Sequence, residues 1–166
     1  MSSSAIEIRL LEEYRDAVHA QMQTMSANDV LEGRAEELAK RVAMYKRQLE
    51  NCIRLGLEFD QRFHRADSYY MDAMLELCTK KHIDGVFGSS PDHILPKRAG
   101  RAIGLLDQAI QIQDDPHYRL RRAHLNCRVR HHYAAALKDL AYLLANHADD
   151  EETYLQARRM KDELEA

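Results

Sequence analysis

The chain of 166 residues has no tryptophan, only three prolines and six glycines, and no long β-branched run. Helix breakers and strand formers are both scarce, while 45% of the residues are apolar and 31% are charged. This composition favours a mostly helical protein over a disordered or an all-β one. The length suits one compact domain or a short solenoid.

The chain also has no strong net charge of either sign. The formal net charge is -3, so no global field indicates nucleic acid as a partner. No run approaches the roughly 20 apolar residues that span a bilayer, and residues 1–5 are too polar for an export signal. We expect the three cysteines, Cys52, Cys78 and Cys127, to be buried reduced thiols. These observations predict a cytoplasmic protein that does not enter a membrane.

Two amphipathic helices are predicted in the first third of the chain. Apolar residues recur at steps of three and four from Ile6 to Met25, which predicts a first helix ending near Ser26. Ser26 and Asp29 have the spacing of a capping box for a second helix. The apolar stripe of that helix continues to Phe63 and consists of Leu31, Ala35, Leu38, Val42, Tyr45, Leu49, Cys52, Gly56, Phe59 and Phe63.

The strict seven-residue spacing of this stripe is typical of a coiled-coil seam that faces one partner helix. The partner is either the first helix folded back or a second copy of the chain. Further apolar residues beside the stripe, among them Met44, Ile53 and Leu55, favour an intramolecular bundle. The alternative is a homodimer, whose self-association surface would consist of Leu38, Val42, Tyr45, Leu49 and Phe59.

The remaining chain divides into a helix, a loop and four more helices. A third helix is predicted from about residue 66 to 81, and the glycines and prolines of residues 82–96 predict a loop. Helices are then expected at 97–113, 116–130, 133–146 and 150–165, the last with a cap formed by Asp149 and Glu152. The predicted fold is all-α, with an N-terminal helical hairpin or coiled-coil segment (1–82), a loop (83–96) and a repeat region (97–166).

The repeat region has an internal period of 34 residues. Ala102-Ile103, Leu106 and Ala109 recur as Ala136-Leu137, Leu140 and Leu143, and Leu120 and Ala123 recur as Tyr154 and Ala157. Together with the helix lengths, this period resembles a tetratricopeptide repeat array, in which stacked helical hairpins bury their apolar faces against one another. The chain departs from the family at His124 and Ala148, where a small residue and a proline are preferred. An earlier unit is broken by the 82–96 loop unless the third helix serves as its first helix.

The resemblance implies a non-enzymatic interaction adaptor that holds a peptide in a groove lined by the first helix of each hairpin. On this sequence the groove residues would be Tyr118, Arg121, Arg122, Leu125 and Arg128. Because the segment from residue 117 to 132 has five arginines and no acidic residue, an acidic peptide is the expected partner and nucleic acid is disfavoured. The alternative is that these arginines are solvated or pair with acidic clusters of the chain itself.

Catalytic and metal sites are not indicated. The spacing of His117, His124 and His131 separates them by two helical turns each, too far for one ion, and no phosphate-binding loop is present. We therefore predict no catalytic residue, no bound metal and no cofactor. Two alternatives to the adaptor are a chaperone for a secreted or assembling client, and a small regulatory enzyme or sensor whose site is the 82–96 loop, which contains His82, Asp84 and His93.

Overall fold

The computed structural model describes residues 3–24, 34–78 and 96–166, and within these ranges the chain is all-α. Seven helices account for 86% of the described residues, which contain no strand. This confirms the predicted fold class. The helices are α1 (Ser3–Thr24), α2 (Arg34–Arg54), α3 (Gln61–Leu77), α4 (Pro96–Ile112), α5 (Pro116–Arg128), α6 (Tyr133–Asn146) and α7 (Glu151–Glu165).

The helices form three successive hairpins followed by a single helix. Each helix packs against the next one in the chain, and the pairs α1–α2, α3–α4 and α5–α6 have the more extensive contacts, compared with α2–α3 and α4–α5. The last helix, α7, packs on α6 and also contacts α5. Consequently α1, α3 and α5 are the first helices of consecutive hairpins. The α3–α4 pair flanks residues 79–95.

The long second helix predicted from the heptad stripe is divided in two, so this prediction was wrong. Gly56 adopts φ +66°, and the amides of Gly56 and Leu57 donate to the carbonyls of Ile53 and Cys52 at 3.0 and 3.1 Å. These two bonds form the Schellman motif that ends many helices. Glycine takes this left-handed conformation without the steric cost of a Cβ atom, so the residue interrupts a stripe whose spacing is otherwise continuous.

A new helix then starts because Asp60 caps it. Its carboxylate accepts a hydrogen bond from the amide of Phe63 at 3.2 Å, and α3 begins at Gln61. Asp115 caps α5 in the same way, with Pro116 in the first turn, as predicted. Asp150, not Asp149, caps α7 by accepting from the amide of Thr153. The predicted cap at Ser26 and the 82–95 part of the loop lie outside the described residues.

The 34-residue period corresponds to equivalent packing. Ala102 and Ala136 are both fully buried, and so are the next two pairs of the repeat, Leu106 with Leu140 and Ala109 with Leu143. The first member of each pair lies in the larger core, built by α1 to α5, and the second in a smaller core shared by α5, α6 and α7. The positions related by the period are therefore buried in both cores.

The heptad residues are buried inside the chain. Leu38, Val42, Tyr45 and Leu49 belong to the larger core, and Phe59 is partly buried against it. The seam is therefore intramolecular in this structure. Self-association through these five residues would require that core to open, so the surface proposed for a homodimer is not exposed here.

The flank beside the seam is more accessible, since Met44, Ile53 and Leu55 all belong to the exposed large hydrophobic residues. All three cysteines are unpaired and buried, as predicted. None of the described helices is both long and apolar enough to cross a membrane.

Candidate binding cleft

A cleft of about 460 Å³ lies where the first helices of the three hairpins come together. Each of these helices contributes side chains to its walls, whereas α2, α4 and α6 contribute none. The lining residues combine cationic, acidic, aromatic and thioether groups. They are Arg15, His19, Met22 and Gln23 from α1, Asp67, Tyr70 and Met74 from α3, and Asp115, His117, Tyr118 and Arg121 from the start of α5.

The floor of the cleft is organised by Asp67, whose residue surface is only 1% exposed. One carboxylate oxygen accepts from Nε of Arg15 and from Nε2 of His19, both at 2.8 Å. The other accepts from the hydroxyl of Tyr118 at 3.3 Å. A buried carboxylate of this kind is stable only because its charge is paired and its lone pairs are occupied. Asp67 therefore ties α1 and α5 to α3.

Above this carboxylate, three rings form a stacked ladder across the same three helices. The rings of His19 and Tyr70 lie 6.0 Å apart with an angle of 8° between their planes. The rings of Tyr70 and Tyr118 lie 5.1 Å apart with an angle of 28°. Burial, and next the negative charge of Asp67, raise the pKa of Tyr118, so its phenol remains a protonated hydrogen-bond donor. The ladder gives the cleft a rigid aromatic wall.

The rim contains charges of both signs. Arg121 and His117 lie on α5, and Asp115 accepts from the amide of His117 at 2.8 Å as the helix cap. On α1, the guanidinium of Arg15 also lies over the ring of Phe63, 4.6 Å from its centre. Arg15 is paired with Asp67 on the floor, and Arg121 is a second arginine in the lining of the cleft. Such an arrangement can bind an extended segment through one charged and several flat apolar contacts.

The five residues that we predicted to bind a peptide do not all lie in one site. Tyr118 and Arg121 line the cleft, although only 5% of the surface of Tyr118 is exposed. Leu125, in contrast, is fully buried in the larger core and offers no surface to a ligand. Arg122 pairs with Asp139 and Asp107, both at 2.7 Å, and lines a different cavity. Arg128 forms an ion pair with Glu163 of α7.

A network of arginines and aspartates accounts for much of the charge asymmetry of α5. Arg119 bonds to Asp114 at 2.8 Å and to the buried Asp139 at 3.1 Å, and its guanidinium lies 3.7 Å from the ring centre of Tyr142. Burial alone would raise the pKa of Asp114, but the hydrogen bond and charge of Arg119 outweigh it and lower that pKa. The alternative interpretation, that the arginines pair with acidic residues of the chain, therefore describes Arg119, Arg122 and Arg128.

Nine of the eleven residues that line the cleft were not predicted as site residues from the sequence, among them Arg15, His19, Asp67 and Tyr70. A signal for one of them was present, because Asp67 stands on the apolar face of α3 one turn before Met71. An acidic residue on a buried helix face requires partners. Those partners are 48 to 52 residues away in the chain, so only the tertiary structure identifies them.

A second buried polar pair lies near the cleft. The hydroxyl of Tyr45 is 2.7 Å from Nδ1 of His64, which also packs edge-on against Phe63. Burial, followed by the charge of Arg15, lowers the pKa of His64, so this imidazole is held neutral. The pair joins α2 to α3 and serves the core.

Within residues 3–24, 34–78 and 96–166, no group of three or more histidine, cysteine or acidic side chains is placed so that it could hold a metal ion. The loop residues His82, Asp84 and His93 lie outside the described ranges. No known protein family, no curated protein and no solved structure matches this chain.

Proposed function

We propose that this protein is a non-enzymatic interaction adaptor of the cytoplasm that binds a peptide of a partner protein in the cleft formed by α1, α3 and α5. One observation carries the proposal: the first helices of three consecutive hairpins converge on a single cleft. This is where a tetratricopeptide-like array would hold a peptide. The three buried, unpaired thiols support the cytoplasmic location, because disulfides are rare there.

The chemistry of the cleft favours a peptide with a carboxylate beside an apolar or aromatic side chain. Arg121 can pair bidentately with a carboxylate, and the ring of Tyr70 offers a flat contact that loses little conformational entropy on binding. A hydrogen bond to a charged group contributes about 1.5–3 kcal/mol. We therefore expect charge reversal at Arg121 to reduce affinity at least about tenfold.

The test uses a phage-displayed library of random 12-residue peptides, selected on the purified full chain. The selected peptides are synthesised with a fluorescent label and titrated by anisotropy against the wild type, Arg121→Glu and Arg41→Glu. Arg41 is the matched control, because it lies on α2, outside the cleft, and pairs with Glu37 at 3.0 Å. We expect enrichment of acidic residues, loss of binding for Arg121→Glu and unchanged binding for Arg41→Glu. Failure to select any peptide, or equal affinity of all three proteins, would reject the proposal.

A chaperone is the second candidate, and the two methionines of the cleft favour it. Met22 and Met74 line the cleft beside Tyr70 with 5% and 1% of their surfaces exposed, so they contact an apolar ligand only after their flexible side chains rearrange. A chaperone of this kind should select apolar amphipathic peptides whose binding changes little between about 50 and 500 mM salt, a range that spans weak to strong screening. Binding to Arg121 should weaken steeply over the same range. Tyr70→Ala should weaken both kinds of ligand, so the salt dependence distinguishes the two functions.

A further inference from the structure

The last helix, α7, has an outward face with an exposed leucine at its centre. Ala157 and Met160 of this helix are buried against α5 and α6. Leu155 precedes Ala157 by two positions, which is about 200° around a helix, and its residue surface is 53% exposed. A depression of about 540 Å³ adjoins Leu155 and is lined only by residues from 155 to 166. No other described helix therefore contributes to this face.

A single exposed leucine is common on protein surfaces, but the charges on both sides of Leu155 form a pattern. Glu151 and Glu152 precede it by four and three residues. Arg158 and Arg159 follow it by three and four residues. Because residues three and four positions apart are neighbours on a helix surface, these side chains lie beside Leu155. The face is therefore acidic before Leu155 and basic after it, at equal distances.

These charges are not engaged in strong pairs. The side chains of Glu151 and Arg159 are exposed and have neither a hydrogen bond nor an ion pair with any residue of 3–24, 34–78 and 96–166. Arg158 lies 3.8 Å from Asp162, and the two side chains are 58% and 65% exposed. Glu152 accepts from the side-chain amide of a glutamine one turn later at 3.3 Å. Exposed contacts of this kind contribute little free energy, so the four charges can pair elsewhere.

We propose that this face is a homodimer surface, on which the α7 helices of two copies pack antiparallel with a twofold axis at Leu155. Such an axis places each residue opposite the residue at the same distance on the other side of position 155. Arg159 then meets Glu151 of the second copy, and Arg158 meets its Glu152. Each pair occurs twice, and the two leucines cover one another at the axis. A parallel arrangement would instead bring like charges together, which is disfavoured.

This surface is separate from the cleft and from the buried heptad seam. No residue of α7 lines the cleft, and the seam residues stay in the larger core. The inference therefore does not depend on the proposed peptide-binding function, and a dimer formed through α7 uses no residue of either cleft. Because each copy contributes a single helix, the interface is small, and we expect a transient dimer with a Kd of about 10–100 μM.

Sedimentation equilibrium of the purified full chain at about 5–500 μM, a range that brackets this Kd, tests the association. We expect the average mass to rise with concentration towards twice the 19.3 kDa of one chain. Leu155→Ser should weaken association at least about tenfold, because both copies lose the apolar contact. The matched control is Leu55→Ser, which should have no effect. Leu55 has nearly the same exposure, 54%, but lies in the turn after α2.

Charge reversal tests the antiparallel register. Arg159→Glu and Glu151→Arg each replace two attractive pairs by two repulsive ones, so each variant alone should associate at least about tenfold more weakly. The double variant restores opposite charges at both positions and should associate like the wild type. A mixture of the two single variants should form a mixed dimer, because each supplies the charge that the other lacks. Circular dichroism at the helix band verifies that every variant is folded.

The proposal is overturned if the wild type stays monomeric over the whole range, which would leave the face to a different occupant. It is also overturned if Leu155→Ser and Leu55→Ser weaken association equally, or if the two single charge reversals have no effect. A double variant or a mixture that fails to associate would reject the antiparallel register. The peptide-binding function is judged separately, since Arg159→Glu should bind the selected peptides with unchanged affinity.

Discussion

Removal of the Asp67 carboxylate is the sharpest test of how the cleft is held together. Asp67→Ala leaves the guanidinium of Arg15 and the hydroxyl of Tyr118 without their acceptor. Removing one partner of a buried ion pair costs about 3–5 kcal/mol. The side chain of Arg15 is 26% exposed, so its charge can turn partly towards water, and we expect a loss near the lower limit, about 3 kcal/mol.

Two further variants calibrate this number. Asp67→Asn keeps the shape and one acceptor oxygen but loses the charge and the second acceptor, and should cost about 1–3 kcal/mol. Asp72→Ala lies on the same helix and breaks a surface pair, with Lys46 at 2.9 Å. Such surface pairs contribute about 0–1 kcal/mol, so this control should be nearly as stable as the wild type.

Urea unfolding followed by circular dichroism at the helix band would measure the free energy of unfolding of each variant. In thermal unfolding, a loss of about 3 kcal/mol corresponds to a decrease in Tm of about 6–12 °C for a chain of this size. A double-mutant cycle of Arg15→Ala with Asp67→Ala should give a coupling of about 1–3 kcal/mol. Equal losses for Asp67→Ala and Asp72→Ala, or a coupling near zero, would refute the view that Asp67 ties the three hairpins together.

Four other positions give predictions measured in the same unfolding experiments. Gly56→Ala should destabilise by about 1–2 kcal/mol because alanine is strained at φ +66°, whereas Gly104→Ala, in a helix with open space at Cβ, should stabilise by about 0.5–1 kcal/mol. Asp139→Ala removes the buried acceptor of two arginines of α5 and should cost about 3 kcal/mol. Burial, with the charges of nearby arginines, lowers the pKa of His124 to about 4, so unfolding takes up a proton between about pH 6.5 and 4. Stability from this group is complete above pH 6.5 and falls by up to about 3 kcal/mol as pH decreases to 4, and His124→Gln should flatten that part of the profile.

Each of these predictions can be contradicted by one experimental outcome. Equal effects of the two glycine substitutions would mean that the helix end at Gly56 is not the reason for the break in the stripe. An unchanged Tm for Asp139→Ala would show that the arginine network is a solvated surface. If stability between pH 6.5 and 4 has the same slope in the wild type and in His124→Gln, the imidazole is not held neutral by its surroundings.

The periodic features of the sequence predicted most of the helices because they depend on local geometry. The helix from Tyr133 to Asn146 was predicted to the residue, and α5 was recognised from Asp115 and Pro116. Periodicity failed at Gly56, where a glycine fits both a seam position and a helix end. Spacing alone does not distinguish these two roles, since the left-handed conformation becomes visible only in the folded backbone.

Only two of the eleven residues that line the candidate site were predicted from the sequence. Tyr118 and Arg121 followed from the repeat, because the first helix of each hairpin presents the same face. The roles of Arg122 and Arg128 could not be predicted, since their partners Asp139 and Glu163 lie 17 and 35 residues away. Leu125 was wrongly predicted to line the groove, because α5 is buried on more than one face between its neighbouring helices.

By itself, the sequence determined the helical composition, the 34-residue period and the buried positions of the repeat, because all three depend on the regular spacing of side chains along a helix. The tertiary structure alone decided which helices share a cleft, that Asp67 joins them, and that most of the α5 arginines are already paired. Those features depend on contacts between residues far apart in the chain. No local pattern in the sequence indicates such contacts.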